Sequence, residues 1–202
     1  MWALPTTVQV LDREYAVRNK GDFKTILKII KTSKEPDLNP IEREVAILCL
    51  FYDGLDEPDD VFNEFETPEY KQEAHRQLSI FISCGDADDC QGIHTRYPLM
   101  DWEFDEQLII TGINPQLGNG MDIRSLEYMH WWTFYSYYMG IGEGVFSTVV
   151  SIRDKIVKGK KKEKWEQQFI RDNPRYFSWR EHTKSPEEKK LVQDIYELWN
   201  KK

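Results

Sequence analysis

The chain has 202 residues, of which 40% are hydrophobic, 13% aromatic and 31% charged. That is enough for one good core or two small ones, and it is too rich in rings for a disordered chain. The net charge of −8 is uneven: residues 1–150 hold 26 acids against 12 bases, about −14, and residues 151–202 hold 9 against 15, about +6. The split argues against general binding to nucleic acid and for a basic tail that meets an acidic surface, its own or a partner's.

Cys49, Cys84 and Cys90 are odd in number, and Cys49 sits in the apolar run "VAILCLF", where a free thiol behaves as a small hydrophobe. A reducing compartment fits that usage. "MWALPTTVQV" lacks a basic start followed by a long apolar stretch, so no secretory signal is expected, and no run of 18 apolar residues predicts a membrane span.

Period-two alternation in "TTVQVLDREYAV" sets Val8 and Val10 in one strand and Tyr15 and Val17 in the next, which predicts a hairpin over about residues 6–18 turning across "LDRE". Asp22 then caps a helix with Phe23, Ile26, Leu27 and Ile30 on its apolar face. Asn39 and Pro40 open a second, with Ile41, Val45, Leu48 and Phe51 or Tyr52 inward before Gly54. The acidic "DGLDEPDDVFNEFETPEY" reads as a loop with a short helical turn. Pro68 opens a helix with Tyr70, Leu78, Phe81 and Ile82 partly inward, ended by Gly85. A further helix is predicted from Trp102 to about Ile113 with Asp101 as cap, broken by "NPQLGNG".

Next comes an aromatic helix from Asp122 or Ser125 to about Met139, a tight corner at "GIGEG", and a resumed helix through "VFSTVVSIRDKIV". "KGKKKEKWEQQFIRDNP" predicts one more, with Trp165, Phe169 and Ile170 inward. Ser185 caps the last, with Leu191, Ile195, Leu198 and Trp199 as its stripe. The expected protein is mainly α, a helical bundle with a small N-terminal β-hairpin. One domain over residues 1–202 is expected, because the hairpin and first helices are too few to bury their own stripes; a division into sub-cores 1–100 and 101–202 is the alternative.

The candidate chemistry is sparse. Asp86 and Asp88 match the first and third positions of a calcium loop, but Cys90, Gln91 and Tyr97 stand where a ligand, a turn glycine and a bidentate glutamate belong. Cys84, Cys90 and His94 give three zinc ligand types without the fourth that a closed site needs. No G-x-S-x-G, phosphate loop or dinucleotide fingerprint occurs, and "GIGEG" follows a helix instead of a strand. His130, between aromatic residues and without a named carboxylate, reads as a satisfied interior histidine. The expectation is no enzyme, no metal and no cofactor. Lys158, Lys160, Lys161, Lys162 and Lys164, interleaved with Trp165 and Phe169, form a basic patch expected to be a solvated face, with nucleic acid or an acidic protein as its other possible ligands.

The segment from Tyr128 to Tyr138 packs seven aromatic side chains into eleven positions. On a helix, Tyr128, Trp131, Trp132, Tyr135, Tyr138 and Met139 would share one broad face, with Phe134 and Tyr137 on the other. The tryptophans suit a core. The tyrosines, apolar with a polar tip, suit a protein interface, so Tyr128, Trp132, Phe134, Tyr135, Tyr137 and Tyr138 are the candidate partner-binding residues.

"YMHWWTFYSYYMGIGEGVFSTVVSIRDKIVKGKKKEKWEQQFIRDNP", and within it "HWWTF" and "SIR", resembles the C-terminal core of the bacteriophage "gene product fifteen" family, and "VQVLDREYAVRNKGDFKTILKI" resembles its N-terminal hairpin and first helix. The resemblance implies a tail-module protein, similar in role to the tail assembly chaperones. Those proteins keep the long helical tape measure protein soluble until tail tube subunits polymerise around it, and they are absent from the mature virion. The partners that the resemblance implies are the tape measure protein, the tail tube protein or both, in the host cytoplasm; the sequence itself leaves a homo-oligomer open, and its run lengths and charge point to no membrane and disfavour nucleic acid. The rival readings are a structural tail or connector component of the virion and a nucleic-acid-binding regulator.

Overall fold

A computed structural model of the chain describes residues 3–86 and 98–179. In chain order its elements are β1 (Thr7–Val10), β2 (Arg13–Ala16), α1 (Phe23–Thr32), α2 (Pro40–Phe51), α3 (Pro58–Glu64) and α4 (Pro68–Ile82). They continue as α5 (Glu106–Leu117), α6 (Trp131–Met139), α7 (Val145–Val157) and α8 (Lys164–Asp172). The fold is mainly α with one small hairpin. The helix predicted after Ser185 lies outside the described residues.

Two compact units share these elements: Met1–Ile93 with Leu126–Ser136, and His94–Ser125 with Tyr137–Lys202. A division at residue 100 misses one feature, the return of Leu126–Ser136 to the first unit.

In the first unit, β1 and β2 pair antiparallel with Thr7 opposite Ala16 and Val10 opposite Arg13. The turn is therefore Leu11–Asp12 alone, tighter than "LDRE", with Leu11 at a left-handed φ of 53°. Asp22 caps α1 as expected, its carboxylate accepting from the Lys24 N–H at 3.1 Å. The buried stripe is Phe23, Ile26 and Ile29, so Leu27 and Ile30 are only half-buried. At the start of α2 the Asn39 side chain accepts from the Ile41 and Glu42 N–H groups at 3.0 Å, and Glu42 accepts in return from the Asn39 N–H at 2.9 Å. This reciprocal cap satisfies donors that a helix start leaves unpaired. Val45, Leu48 and Phe51 face inward, but Ile41 is 63% exposed, a correction to its place in the stripe.

The acidic stretch holds a full helix, α3, where only a turn was expected. Asp60 accepts from the Asp56 and Glu57 N–H groups, and Pro58 supplies a preset φ in the first turn. Behind α3 and α4, Phe51, Tyr52, Phe65 and Phe81 pack edge to face at 4.9 to 5.3 Å. The buried Tyr52 hydroxyl donates to the Ala74 carbonyl at 2.8 Å, and burial pushes its pKa well above the usual tyrosine value.

The second unit corrects the fifth helix. Asp101 does not cap it: its carboxylate accepts from the Glu103 and Phe104 N–H groups and closes a separate turn, and α5 begins at Glu106. The helix also runs through Pro115 to Leu117 before Gly118, so "NPQLGNG" breaks the chain later than predicted. In α8 Glu166 faces inward while Trp165 is 57% exposed, which corrects the inward placement of that tryptophan. Lys155 draws Glu166 in, donating to its carboxylate at 2.6 Å.

One glycine is held from two directions. Gly21 has φ +71°, and a Cβ there would lie 2.5 Å from Phe81 Cζ and 3.2 Å from His130 Nε2. Gly54 has φ +84° but open space around it. In urea denaturation, Gly54→Ala is expected to cost about 1 kcal/mol, the left-handed penalty alone. Gly21→Ala should cost at least about twice that, since crowding adds to the same penalty; equal costs would show that Phe81 yields freely.

Candidate interaction surface

The aromatic segment is not one helix. The chain from Leu126 to His130 is non-helical, because its backbone is already used: the Met129 N–H donates to Asp22 Oδ1 at 3.0 Å and the Met129 carbonyl accepts from the Phe23 N–H at 2.9 Å. A bridge pairs Asp22 with His130, and α6 starts only at Trp131. Tyr128 therefore leaves the predicted helical face. It is half-exposed, and its hydroxyl donates to the Lys20 carbonyl at 3.1 Å.

Within the first unit the remaining rings are largely spent on packing. Trp131, 1% exposed, donates from Nε1 to the Ile82 carbonyl at 2.8 Å; Trp132, half-buried, donates from Nε1 to Phe81 at 2.9 Å. Phe134 is buried, stacked on Phe23 at 4.8 Å and on Trp131 at 5.4 Å. Its assignment to a partner face is corrected accordingly: both sides of its ring are covered by this chain. Tyr135 is half-buried beside Trp131.

His130 is buried with both ring nitrogens committed. Nε2 donates to the Pro5 carbonyl at 2.8 Å, and Nδ1 accepts from the Trp132 N–H at 3.1 Å. Only the neutral ring makes both bonds, since a protonated Nδ1 would face a donor. Burial depresses its pKa, with the Pro5 bond opposing in smaller part.

In the second unit, Tyr138 lies against Trp102 at 4.7 Å and Phe146 at 5.8 Å, while Tyr137 is half-buried. Met139, next along, is 66% exposed. Gly140 to Phe146 then line one wall of a groove of about 260 Å³, with Leu108, Pro115 and Gln116 of α5 forming the other. Ile141, Val145 and Phe146 give that wall an apolar character, and Gln116 and Glu143 stand at its rim. Nothing in helical periodicity marked this corner as a surface.

Sequence reasoning also missed a buried ion pair. Arg153 and Asp105 are both fully buried, joined by two bonds of 2.7 and 2.8 Å. Arg153 donates as well to the Leu99 carbonyl at 2.9 Å and twice to Tyr176, and its guanidinium lies 4.8 Å from the Trp179 ring. The arginine of "SIR" is thus a scaffold residue. The missed signal was a lone arginine at an inward position of an otherwise apolar helix stripe.

The basic patch is partly neutralised. Lys158 pairs with Asp154 at 2.7 Å, whereas Lys160, Lys161 and Lys164 are exposed and Lys162 is half-buried near Glu166. Among the described residues no cluster of His, Cys, Asp and Glu is arranged to hold a metal, and no helix is long and apolar enough to cross a membrane. Cys90, His94, Asp88 and Tyr97 lie outside the described residues. No protein-family model, curated protein or solved structure matches the chain.

Replacing Arg153 by Leu leaves Asp105 buried without its counter-charge and is expected to cost about 3–5 kcal/mol in chemical denaturation. A loss under about 1 kcal/mol would mean that Asp105 regains water or a proton at little cost. For His130 the folded pKa lies below the unfolded value of 6.5, so its stabilisation is full above that pH and declines as pH falls toward the folded pKa. Stability measured downward from neutral pH should therefore fall more steeply in the wild type than in His130→Gln; equal slopes would remove His130 as the cause.

Proposed function

We propose that the chain is a non-enzymatic binding protein of bacteriophage tail assembly, a chaperone that holds the tape measure protein, tail tube subunits or both in the host cytoplasm and leaves before the virion is complete. The support is the resemblance of residues 8–29 and 128–174 to the "gene product fifteen" family, together with one structural observation. That observation is Met139, two-thirds exposed and followed directly by the apolar groove of Ile141, Val145 and Phe146.

The groove suits a helical client. An amphipathic helix presents apolar side chains at intervals of three and four residues, and an apolar cleft with a polar rim is the receiving form of that pattern. Phe134, expected on the client face, serves the first unit's core instead, beside the core residue Trp131. Shielding then falls to Tyr137, Met139 and the Gly140–Phe146 corner, and the acidic surface keeps the loaded complex soluble.

Co-expression tests the reading: the tape measure protein should stay soluble with this chain and precipitate without it, and equal solubility in both would sink the proposal. Met139→Asp with Val145→Asp should lower the recovered client about tenfold while leaving the thermal midpoint close to the wild type, since both side chains are exposed. Tyr137→Ala should weaken recovery in the same way. Trp131→Ala should instead cost about 3–5 kcal/mol of stability, as a core truncation. Mass spectrometry of purified particles separates this role from that of a virion component, for which a stoichiometric amount would be found.

A further inference from the structure

The acidic and basic parts of the sequence each surface as an exposed aromatic ring set among unanswered charges. Residues 44–70 contain no Lys or Arg. Around α3, Asp53, Glu57, Asp59 and Glu66 are exposed without an ion-pair partner among the described residues, and Phe62 between them is 43% exposed. The Phe62 ring already receives one cation, with Lys71 Nζ 5.4 Å from its centroid. Asp56, by contrast, is answered by Arg18 at 2.9 Å.

At the start of α8 the signs reverse. Lys155 and Lys158 are taken up by Glu166 and Asp154, but Lys160, Lys161 and Lys164 have no carboxylate partner among the described residues. Beside them Trp165 stands 57% exposed, although its spacing suits an inward side chain. An exposed tryptophan among free ammonium groups is a surface prepared for something that is both acidic and apolar.

We propose that this something is a second copy of the chain: Lys160, Lys161 and Lys164 of one copy face the acidic surface around α3 of the next, with Trp165 and Phe62 as the apolar centre of the contact. The match is one of charge and of anatomy, a ring with a charged surround on each side. Because the two surfaces differ, the contact is head to tail, and each added copy leaves one surface of each kind free for another. Nucleic acid fits less well, since a polyanion meeting the lysines must also approach a chain that is −8 in total. A second copy carries the same net charge but offers the lysines a local patch, residues 44–70 without Lys or Arg, with an apolar ring at Phe62. This contact stands apart from the tail-assembly reading and uses different residues from its groove.

Sedimentation of the full chain is the test, at low salt and at a salt concentration well above the roughly 0.1 M at which the Debye length is about 10 Å. The wild type should assemble with rising concentration at low salt and return to monomer at high salt. A variant with Lys160, Lys161 and Lys164 changed to Glu should associate at least about tenfold more weakly, as should one with Asp53, Glu57, Asp59 and Glu66 changed to Lys. Mixing the two should restore assembly, because each then offers the other an opposite surface. Trp165→Ser, which changes no charge, should weaken the wild-type contact at low salt as well. A wild type that stays monomeric at low salt overturns the proposal without recourse to any variant, and so does assembly that the lysine variant leaves unchanged. Capture of a labelled single-stranded oligonucleotide by monomers, lost in the lysine variant, would assign the surface to nucleic acid and overturn it equally.

Discussion

The second unit is organised by the charge of Arg153. A guanidinium with no exposed surface is tolerable only if every donor is answered, because an uncompensated buried charge costs several kcal/mol. The answers come from far along the chain: the Asp105 carboxylate, the Leu99 carbonyl and the Tyr176 carbonyl. Asp105 in turn accepts from the Asp101 N–H at 3.0 Å, which ties the turn before α5 to the same network. One side chain on α7 thereby fixes the entry to α5 and the turn after α8. The Trp179 ring covers the guanidinium and donates to the Pro98 carbonyl at 2.8 Å, closing the arrangement over the cation.

The first unit solves a similar problem with Asp22. One oxygen of its carboxylate caps α1 and the other holds the Met129 N–H, so a single acid starts a helix and docks a segment more than a hundred residues away. His130 extends the docking to Pro5, and the two tryptophan N–H groups end on the last carbonyls of α4. Indole rings bring large apolar area but one obligatory donor each, and here each donor ends on a carbonyl of the last turn of α4, Ile82 for Trp131 and Phe81, which also accepts from the Cys84 N–H, for Trp132. The aromatic density from Tyr128 to Tyr138 is in good part the cost of rejoining a core begun in the first eighty residues.

The mainly helical class, the hairpin and the first two caps were legible in the sequence because they depend on neighbours: Asp22 before Phe23, Asn39 and Pro40 before a periodic run, alternation around Val8 and Val10. What was not legible depends on distant partners. The start of α6 moved from Asp122 or Ser125 to Trp131 because Asp22 and Phe23 claim the Met129 backbone groups. The start of α5 moved because the Asp105 carboxylate belongs to Arg153, leaving Asp101 to close its own turn. Trp165 and Glu166 exchanged places because Lys155, eleven positions back, pulls the acid inward. The candidate site followed the same rule: periodicity found the aromatic segment but could not tell rings that this chain covers from rings that it leaves open.

That distinction changes where binding belongs. An aromatic ring contributes to association only through surface not already removed from water, so Trp131 and Phe134 have little left to give. The surface that remains is apolar at Met139 and the groove after it, basic at Lys160 to Lys164, and acidic around α3. Apolar burial does not weaken with salt as exposed ion pairs do, and the acid–base contact draws its orientation from charges that salt screens. A client held by the groove and a neighbouring copy held by charge would therefore answer to different conditions. Ionic strength then separates the two proposed contacts, because raising it acts on the charged surfaces and leaves the apolar groove unaffected.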